Sequence, residues 1–167
     1  DRPASEHTYI WAETGAVDIP PMASVPFAPG FMTGYEDSLE DARLVGVSCT
    51  ECGVVLFGKR DFCENCGSYH LEDVEFGDRG EVYSYTVQRA PPTPPFRMGT
   101  TDRDEWDPRP VGYVDLPSGV RLLSILEGPL DAIEIGTTVT LEIAPGWTND
   151  EDEDVLVYRF VAEEADR

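Results

Sequence analysis

The residues with the clearest capacity for chemistry are the four cysteines of the chain, which form two pairs with the same two-residue gap. They are Cys49, Cys52, Cys63 and Cys66. Ten residues separate the pairs, and a glycine directly follows each pair. Tetrahedral zinc binds four thiolates at about 2.3 Å each, and a two-residue gap lets one turn direct two thiolates at one ion. The glycines supply the unusual backbone angles that let amide N–H groups point at the sulfurs. The spacing therefore predicts one zinc site.

Other uses of the cysteines stay open at the level of sequence. Two disulfides would need an oxidising compartment, and a thioredoxin-type redox pair would need a single CxxC near a βαβ unit. Iron accepts the same ligands as zinc. A site closed by four thiolates has no position for water or substrate, so we interpret the metal as structural. In small zinc modules such an ion contributes about 10–16 kcal/mol to folding.

Other groups that could act in catalysis are few. The two histidines are His7, near the start of the chain, and His70, four residues after the last cysteine. Four thiolates leave His70 no ligand role, and they leave no free nucleophilic cysteine. The sequence contains no nucleophile elbow, P-loop, HExxH or GxGxxG motif. We therefore expect that the chain is not an enzyme by itself.

The charge of the chain limits its partners. Thirty-three acidic residues face twelve basic ones, which gives a net charge of −21, and Lys59 is the only lysine. Such a surface repels phosphate backbones, so nucleic acid is not an expected partner. Two origins of the charge stay open, namely solubility at very high salt and an arginine-rich codon usage.

The sequence also bears on location. No run approaches the roughly 18 apolar residues of a membrane span, and the first residues lack the order of a secretory signal. We therefore expect a cytoplasmic protein with no membrane contact.

The strands and turns that must position the cysteines follow a proline-rich N-terminal segment. Residues 1–34 hold five prolines among scattered aromatic residues, which predicts an extended N-terminal arm lying on this chain or on a partner. Residues 34–44 predict a short amphipathic helix with an acidic first turn. Residues 35–78 would then hold this helix and a rubredoxin-like zinc ribbon, in which 43–47 precede the first cysteine pair and 54–57 form a short strand.

After the ribbon the pattern changes to alternating strands. They are predicted at 81–88, 111–116, 120–126, 138–143 and 155–161. Five short strands of this kind favour a small closed barrel of the OB type over 79–167. The predicted fold is therefore mainly β, a four-cysteine ribbon followed by a five-stranded OB-fold barrel.

One connection is long for so small a barrel. Residues 89–110 carry four arginines and four acidic residues, with aromatic side chains that could bury area. Long loops on rigid scaffolds tend to be functional, so this loop is the candidate for an anionic ligand or a partner. An ordered loop with self-paired charges is the alternative. The candidate contact residues are Arg89, Phe96, Arg97, Arg103, Trp106 and Arg109.

Several segments together resemble a known family. They are the sequence RLVGVSCTECG at 43–53, CENCGS at 63–68, GEVYSYTV at 80–87 and IGTTV at 135–139. Their combination, over 34–161, is similar to the zinc-ribbon plus OB-fold family of acyl-CoA-associated, thiolase-accessory proteins, long catalogued as a domain of unknown function. The arm and the arginine-rich loop are larger than the family minimum.

The resemblance implies a role in a hetero-oligomer. Members of this family pair with thiolases, acyl-CoA aldolases or condensing enzymes, which hold the catalytic residues, and the small subunit stabilises the partner and helps form the acyl-CoA site. Since CoA phosphates need local arginines on so acidic a chain, we hypothesise that Arg97 and its neighbours border an acyl-CoA entrance shared with the partner. A stand-alone acyl-CoA-binding or nucleic-acid-binding OB-fold protein is the alternative.

Overall fold

The structure, a computed structural model, describes residues 24–92 and 102–162. Within these ranges the chain forms ten β-strands and no helix. The strands are β1 Ser24–Pro26, β2 Met32–Thr33, β3 Arg43–Cys49, β4 Val55–Phe57, β5 Leu71–Glu75, β6 Arg79–Gln88, β7 Arg109–Asp115, β8 Arg121–Glu127, β9 Thr138–Thr148 and β10 Asp154–Ala162. Residues 1–23 of the predicted arm lie outside the described residues, as do Phe96 and Arg97.

Strands β6 to β10 form the predicted OB-fold barrel. The order in the sheet is β10-β8-β7-β6-β9, and β9 pairs again with β10, which closes the barrel. Each predicted strand overlaps an observed one, because residues of alternating polarity place one face of each strand inward. The inward side chains are fully buried at Val82, Val114, Leu126, Val139, Leu156 and Phe160.

The ribbon is a second, smaller sheet built around β3. This strand pairs with β2, β4 and β5, all antiparallel. Gly46, in the middle of β3, is required by close packing, since a Cβ there would meet the carbonyl oxygen of Leu56 and the ring of Phe76. The last residue of β3 is Cys49, the first of the four cysteines.

Few backbone pairs join β8 to β10 at the seam of the barrel. Strand β8 pairs with β10 only at Phe160↔Leu126 and Val161↔Glu127. At the N-terminal end of the same edge of β10, strand β1 pairs in parallel with residues 154–156. Between these contacts the hydroxyl of Tyr158 donates to the carbonyl of Leu123 at 3.0 Å. The part of the arm that the structure describes therefore lies on this chain.

Aromatic rings join the ribbon to the barrel. Phe27, which follows β1, packs on Phe31 and on Tyr158 of the barrel, with ring centroids 5.3 and 5.6 Å apart. Phe57 of the ribbon contacts Phe31 at 4.8 Å and Tyr158 at 5.7 Å. The rings hold the two sheets in one orientation because each contacts rings from another segment.

The predicted helix at 34–44 is wrong. The segment forms successive turns, in which the N–H of Asp41 donates to Ser38 and that of Ala42 to Leu39. Strands β2 and β3 pair at Thr33↔Arg43, so the residues between must reverse the chain within a short distance. A helix would carry the chain away from that pairing. The boundary predicted between residues 78 and 79 stays a prediction.

Within the described ranges, no helix is long and apolar enough to cross a membrane.

Candidate metal centre and ligand loop

The two cysteine pairs sit in turns with the same backbone geometry. The N–H of Gly53 donates to the carbonyl of Cys49, and the N–H of Gly67 to that of Cys63, both at 2.8 Å. The two glycines have φ values of +73° and +75°, which lie in the left-handed region that glycine adopts without strain. Each turn therefore directs a pair of sulfurs toward the same point, as their spacing predicts.

The four sulfurs lie close enough to share one ion. All four ligand atoms lie within 4.8 Å of one another, and the Cys49–Cys66 and Cys52–Cys63 sulfurs are 3.6 Å apart. Four sulfurs at about 2.3 Å from a tetrahedral zinc would lie about 3.8 Å from each other. The cysteines are therefore positioned to bind a four-coordinate metal. Cys49 and Cys63 are buried, whereas Cys52 and Cys66 face solvent.

The electrostatics of the sulfurs also favour a bound cation. The side-chain amide of Asn65 donates to the Cys52 sulfur at 3.5 Å, and this bond is the main reason that the pKa of Cys52 is lowered to about 6. At Cys66 a backbone hydrogen bond from Ser68 lowers the pKa. Desolvation and the neighbouring sulfurs outweigh that bond and raise the pKa of Cys66 to about 12. Four sulfurs so close together cannot all ionise unless a cation offsets their charge.

Asn65 is a residue of this centre that the spacing of the cysteines did not single out. It lies inside the second pair, between Glu64 and Cys66. Only the folded turns bring its amide to Cys52 across the centre. His70 takes no part, since its Nδ1 lies 3.0 Å from an oxygen of Glu51 on the exposed surface.

In the loop of residues 89–110, called the ligand loop below, the described residues include a buried tryptophan. The indole N–H of Trp106 donates to the carbonyl of Gln88 at 3.0 Å, and the side chain is 6% exposed. The guanidinium of Arg109 stacks on the Trp106 ring, 4.4 Å from its centroid. The end of β6 and the start of β7 are thereby held together, and Arg109 has a fixed position beside them.

Three of the four arginines of this loop lie in the described residues. Arg89 and Arg103 are exposed, and Arg109 is half-buried. In the described part of the chain none of these three forms an ion pair, whereas Arg60, Arg121 and Arg159 do. The alternative of an ordered loop with self-paired charges stays open, because Asp102 and Glu105 of the same loop have interaction partners. The joint approach of the three arginines to one ligand stays a prediction.

The fold and the cysteine centre define a class of protein, a zinc ribbon joined to an OB-fold barrel. A family profile described as the ChsH2 rubredoxin-like zinc ribbon domain matches residues 37–69. A second, described as the ChsH2 C-terminal OB-fold domain, matches residues 73–144.

The chain belongs to the DUF35 family of these proteins. It is 32% identical to a DUF35 domain-containing scaffold protein of Pyrococcus furiosus, over 72% of this chain and 84% of that protein. It is 31% identical to benzoylsuccinyl-CoA thiolase subunit BbsA of Geobacter metallireducens, over 70% of this chain and 73% of the relative. The solved structure "Ltp2-ChsH2(DUF35) aldolase" matches 72% of this chain and 84% of its own, with 33% identity and a TM-score of 0.53.

A further relative is much longer than this chain. The probable enoyl-CoA hydratase alpha subunit of Thermomonospora curvata is 36% identical over 64% of this chain, but the match spans only 31% of that protein.

Proposed function

We propose that this chain is a non-catalytic, zinc-binding accessory subunit of a thiolase-type acyl-CoA enzyme complex. The partner would be a thiolase, an acyl-CoA aldolase or a condensing enzyme, and it would hold the catalytic residues. The observation that carries the proposal is the similarity, over most of both chains, to a subunit named for a benzoylsuccinyl-CoA thiolase. The similarity to a ChsH2(DUF35) chain of an aldolase supports the same conclusion.

The cysteine centre would stabilise the fold without taking part in the reaction. Cys49, Cys52, Cys63 and Cys66 supply four thiolates at distances that suit zinc. With all four positions occupied, the ion has none left for water or substrate. The role of the centre is therefore to fix the ribbon, and the ribbon is joined to the barrel through the aromatic contacts of Phe57.

The ligand loop would supply the cationic side of an acyl-CoA entrance formed with the partner. CoA carries phosphates, and a chain of net charge −21 repels them except where arginines lie free of carboxylates. Arg89 and Arg103 form no ion pair among the described residues, which supports this role, and Arg109 remains a candidate contact with the ligand or with the partner. Phe96 and Arg97 belong to the same candidate set from the sequence.

The experiment that tests the role is purification of the tagged chain from its host at the salt concentration of that host, with mass spectrometry of what elutes with it. We expect a thiolase-type subunit in near-equal amount. A zinc-containing monomer with no such companion would overturn the accessory role.

The same complex tests the loop. We expect Arg103→Ala to raise the KM for acyl-CoA about threefold to tenfold while kcat changes little, since one exposed charge-assisted contact is worth about 1 kcal/mol. Arg60→Ala is the matched control because it removes one arginine on the ribbon that is already paired with Glu64. An equal KM for both variants and the wild type would count against the loop.

A further inference from the structure

One side of the barrel carries a patch of apolar side chains. Strands β7 and β8 pair Tyr113 with Leu123 and Val111 with Ile125, and all four side chains point outward. Tyr83 joins them from β6, where it is the extra residue of a β-bulge between Val82 and Ser84. We call these five residues the outer aromatic face.

Three side chains of this face are about half exposed. Tyr83, Tyr113 and Leu123 are 50%, 44% and 53% exposed, while their inward neighbours Val82, Val114 and Leu122 are buried. With about 200 Å² for a fully exposed large side chain, these three expose about 300 Å² of mostly apolar surface. That is more than a third of the roughly 800 Å² that one partner contributes to a standard protein interface.

Charged groups border the face at its two ends and leave its centre free. At one end Arg121 pairs with Asp115, with Nη2 and Oδ2 2.9 Å apart, and its guanidinium lies over the Tyr83 ring. At the other end Arg109 extends from the same face of β7, opposite Gln88 of β6. An apolar centre within a polar rim is the usual anatomy of a protein interface.

The net charge of the chain also bears on which kind of partner covers the face. Two copies of a chain of net charge −21 repel each other, and among the described residues Arg109 is the one cation at this face outside an ion pair that could offset that repulsion. The same charge argues against nucleic acid, although exposed aromatic residues on an OB-fold barrel can stack bases. A different protein with an apolar surface, and with an acidic group placed to meet Arg109, fits both the centre and the rim.

We propose that the outer aromatic face is where the thiolase-type subunit docks, with apolar side chains of that subunit covering Tyr113 and Leu123. This inference rests on the proposed function, because it names the surface through which the accessory subunit is held. It assigns the interface to the barrel strands β6 to β8 rather than to the ribbon.

The test compares two double variants in the complex. Tyr113→Ala with Leu123→Ala removes the centre of the face, and both side chains are exposed enough for the barrel to keep its core. The control is Leu130→Ala with Ile135→Ala, which removes two apolar side chains, 45% and 71% exposed, from the β8–β9 connection. Circular dichroism and zinc content check that both variants fold.

The binding constant for the thiolase-type subunit identified with the wild-type chain is then measured for each variant. Truncation of a hot-spot residue at the centre of an interface weakens binding by a factor of about thirty or more. We expect that loss for the Tyr113 and Leu123 variant. We expect the control to bind within about threefold of the wild type.

Three results would overturn the inference, and they are distinguishable. If the wild type forms the complex and both variants bind equally well, the face is wrong and the accessory role stands. If the wild type captures no thiolase-type subunit, the accessory role fails and the inference fails with it. If the free wild-type chain is a dimer at the salt concentration of its host and the Tyr113 and Leu123 variant is a monomer, the face binds a second copy.

Discussion

Replacement of one exposed cysteine tests whether metal holds the ribbon together. Cys52 is exposed, so Cys52→Ala removes a metal ligand without opening a cavity in a core. From residue 50 to residue 70, the only buried positions are Gly58 and Cys63. Few apolar side chains are therefore available to hold this segment, and we expect the variant to lose its ordered ribbon.

The contribution of the metal to the stability of residues 50–70 can be estimated from the burial of that segment. Ordering its backbone costs about 20 kcal/mol at roughly 1 kcal/mol per residue, the lower end of the usual range. Val54, Val55, Leu56 and Phe57 are only partly buried, and even complete burial of four such side chains would contribute at most about 6–12 kcal/mol. The difference of about 8–14 kcal/mol is similar to the 10–16 kcal/mol that zinc contributes in small modules. Without the ion the segment is expected to unfold.

Hydrogen exchange, read together with zinc content, measures this effect. In Cys52→Ala we expect the amide of Cys49, which donates to Val54 at 2.9 Å, to exchange rapidly. Amides of β7, which pairs with β6 and β8 on its two sides, should stay protected. Cys52→His is the control, because histidine is itself a zinc ligand and should restore much of the protection. A Cys52→Ala chain that lacks metal and keeps wild-type protection at Cys49 would refute the reasoning.

Two further substitutions test the packing of the two sheets. Gly46→Ala should lower the free energy of unfolding by about 3 kcal/mol in urea denaturation, since the new methyl group overpacks against Leu56 and Phe76; an unchanged value would contradict the close approach. Tyr158→Phe should cost about 1 kcal/mol at pH 7 through the lost hydrogen bond to Leu123. Burial raises the pKa of Tyr158 to about 12, so this part of the wild-type stability is constant below about pH 10, the pKa of an unfolded tyrosine, and falls from there to pH 12. The difference between wild type and variant should fall over that interval by more than the hydrogen bond contributes, so that its sign changes, and a difference independent of pH would argue against the burial of this hydroxyl.

The features that the sequence predicts correctly depend on residues close together in the chain. Two cysteines separated by two residues, with a glycine behind them, form their turn locally, and the two turns repeat the same hydrogen bonds. Alternation of polarity likewise marks a strand such as β7 without knowledge of its neighbours. The five strands of the barrel and the convergence of the cysteines were therefore predictable.

The features that the sequence did not predict depend on pairing between distant segments. The acidic residues of 34–44 suit the first turn of a helix or an exposed loop equally well, and the pairing of Thr33 with Arg43 decides for the loop. The position of Tyr83 beside Arg121 depends on a β-bulge that alternation does not reveal. The contact of Asn65 with Cys52 likewise exists only when both turns are folded.

The seam of the barrel offers a contact path by which the zinc ribbon would influence the surface of β7 and β8, which the ribbon does not form. Tyr158 donates to the carbonyl of Leu123, the central residue of β8 on the outer aromatic face, and its ring packs against Phe27 and Phe57. Phe57 belongs to β4, in the segment that the cysteine centre holds. A ribbon that unfolds would remove one of the rings that fix Tyr158 and would loosen the β8 edge at Leu123. Loss of metal should therefore weaken docking on the barrel face through this contact, even though no cysteine lies on that face.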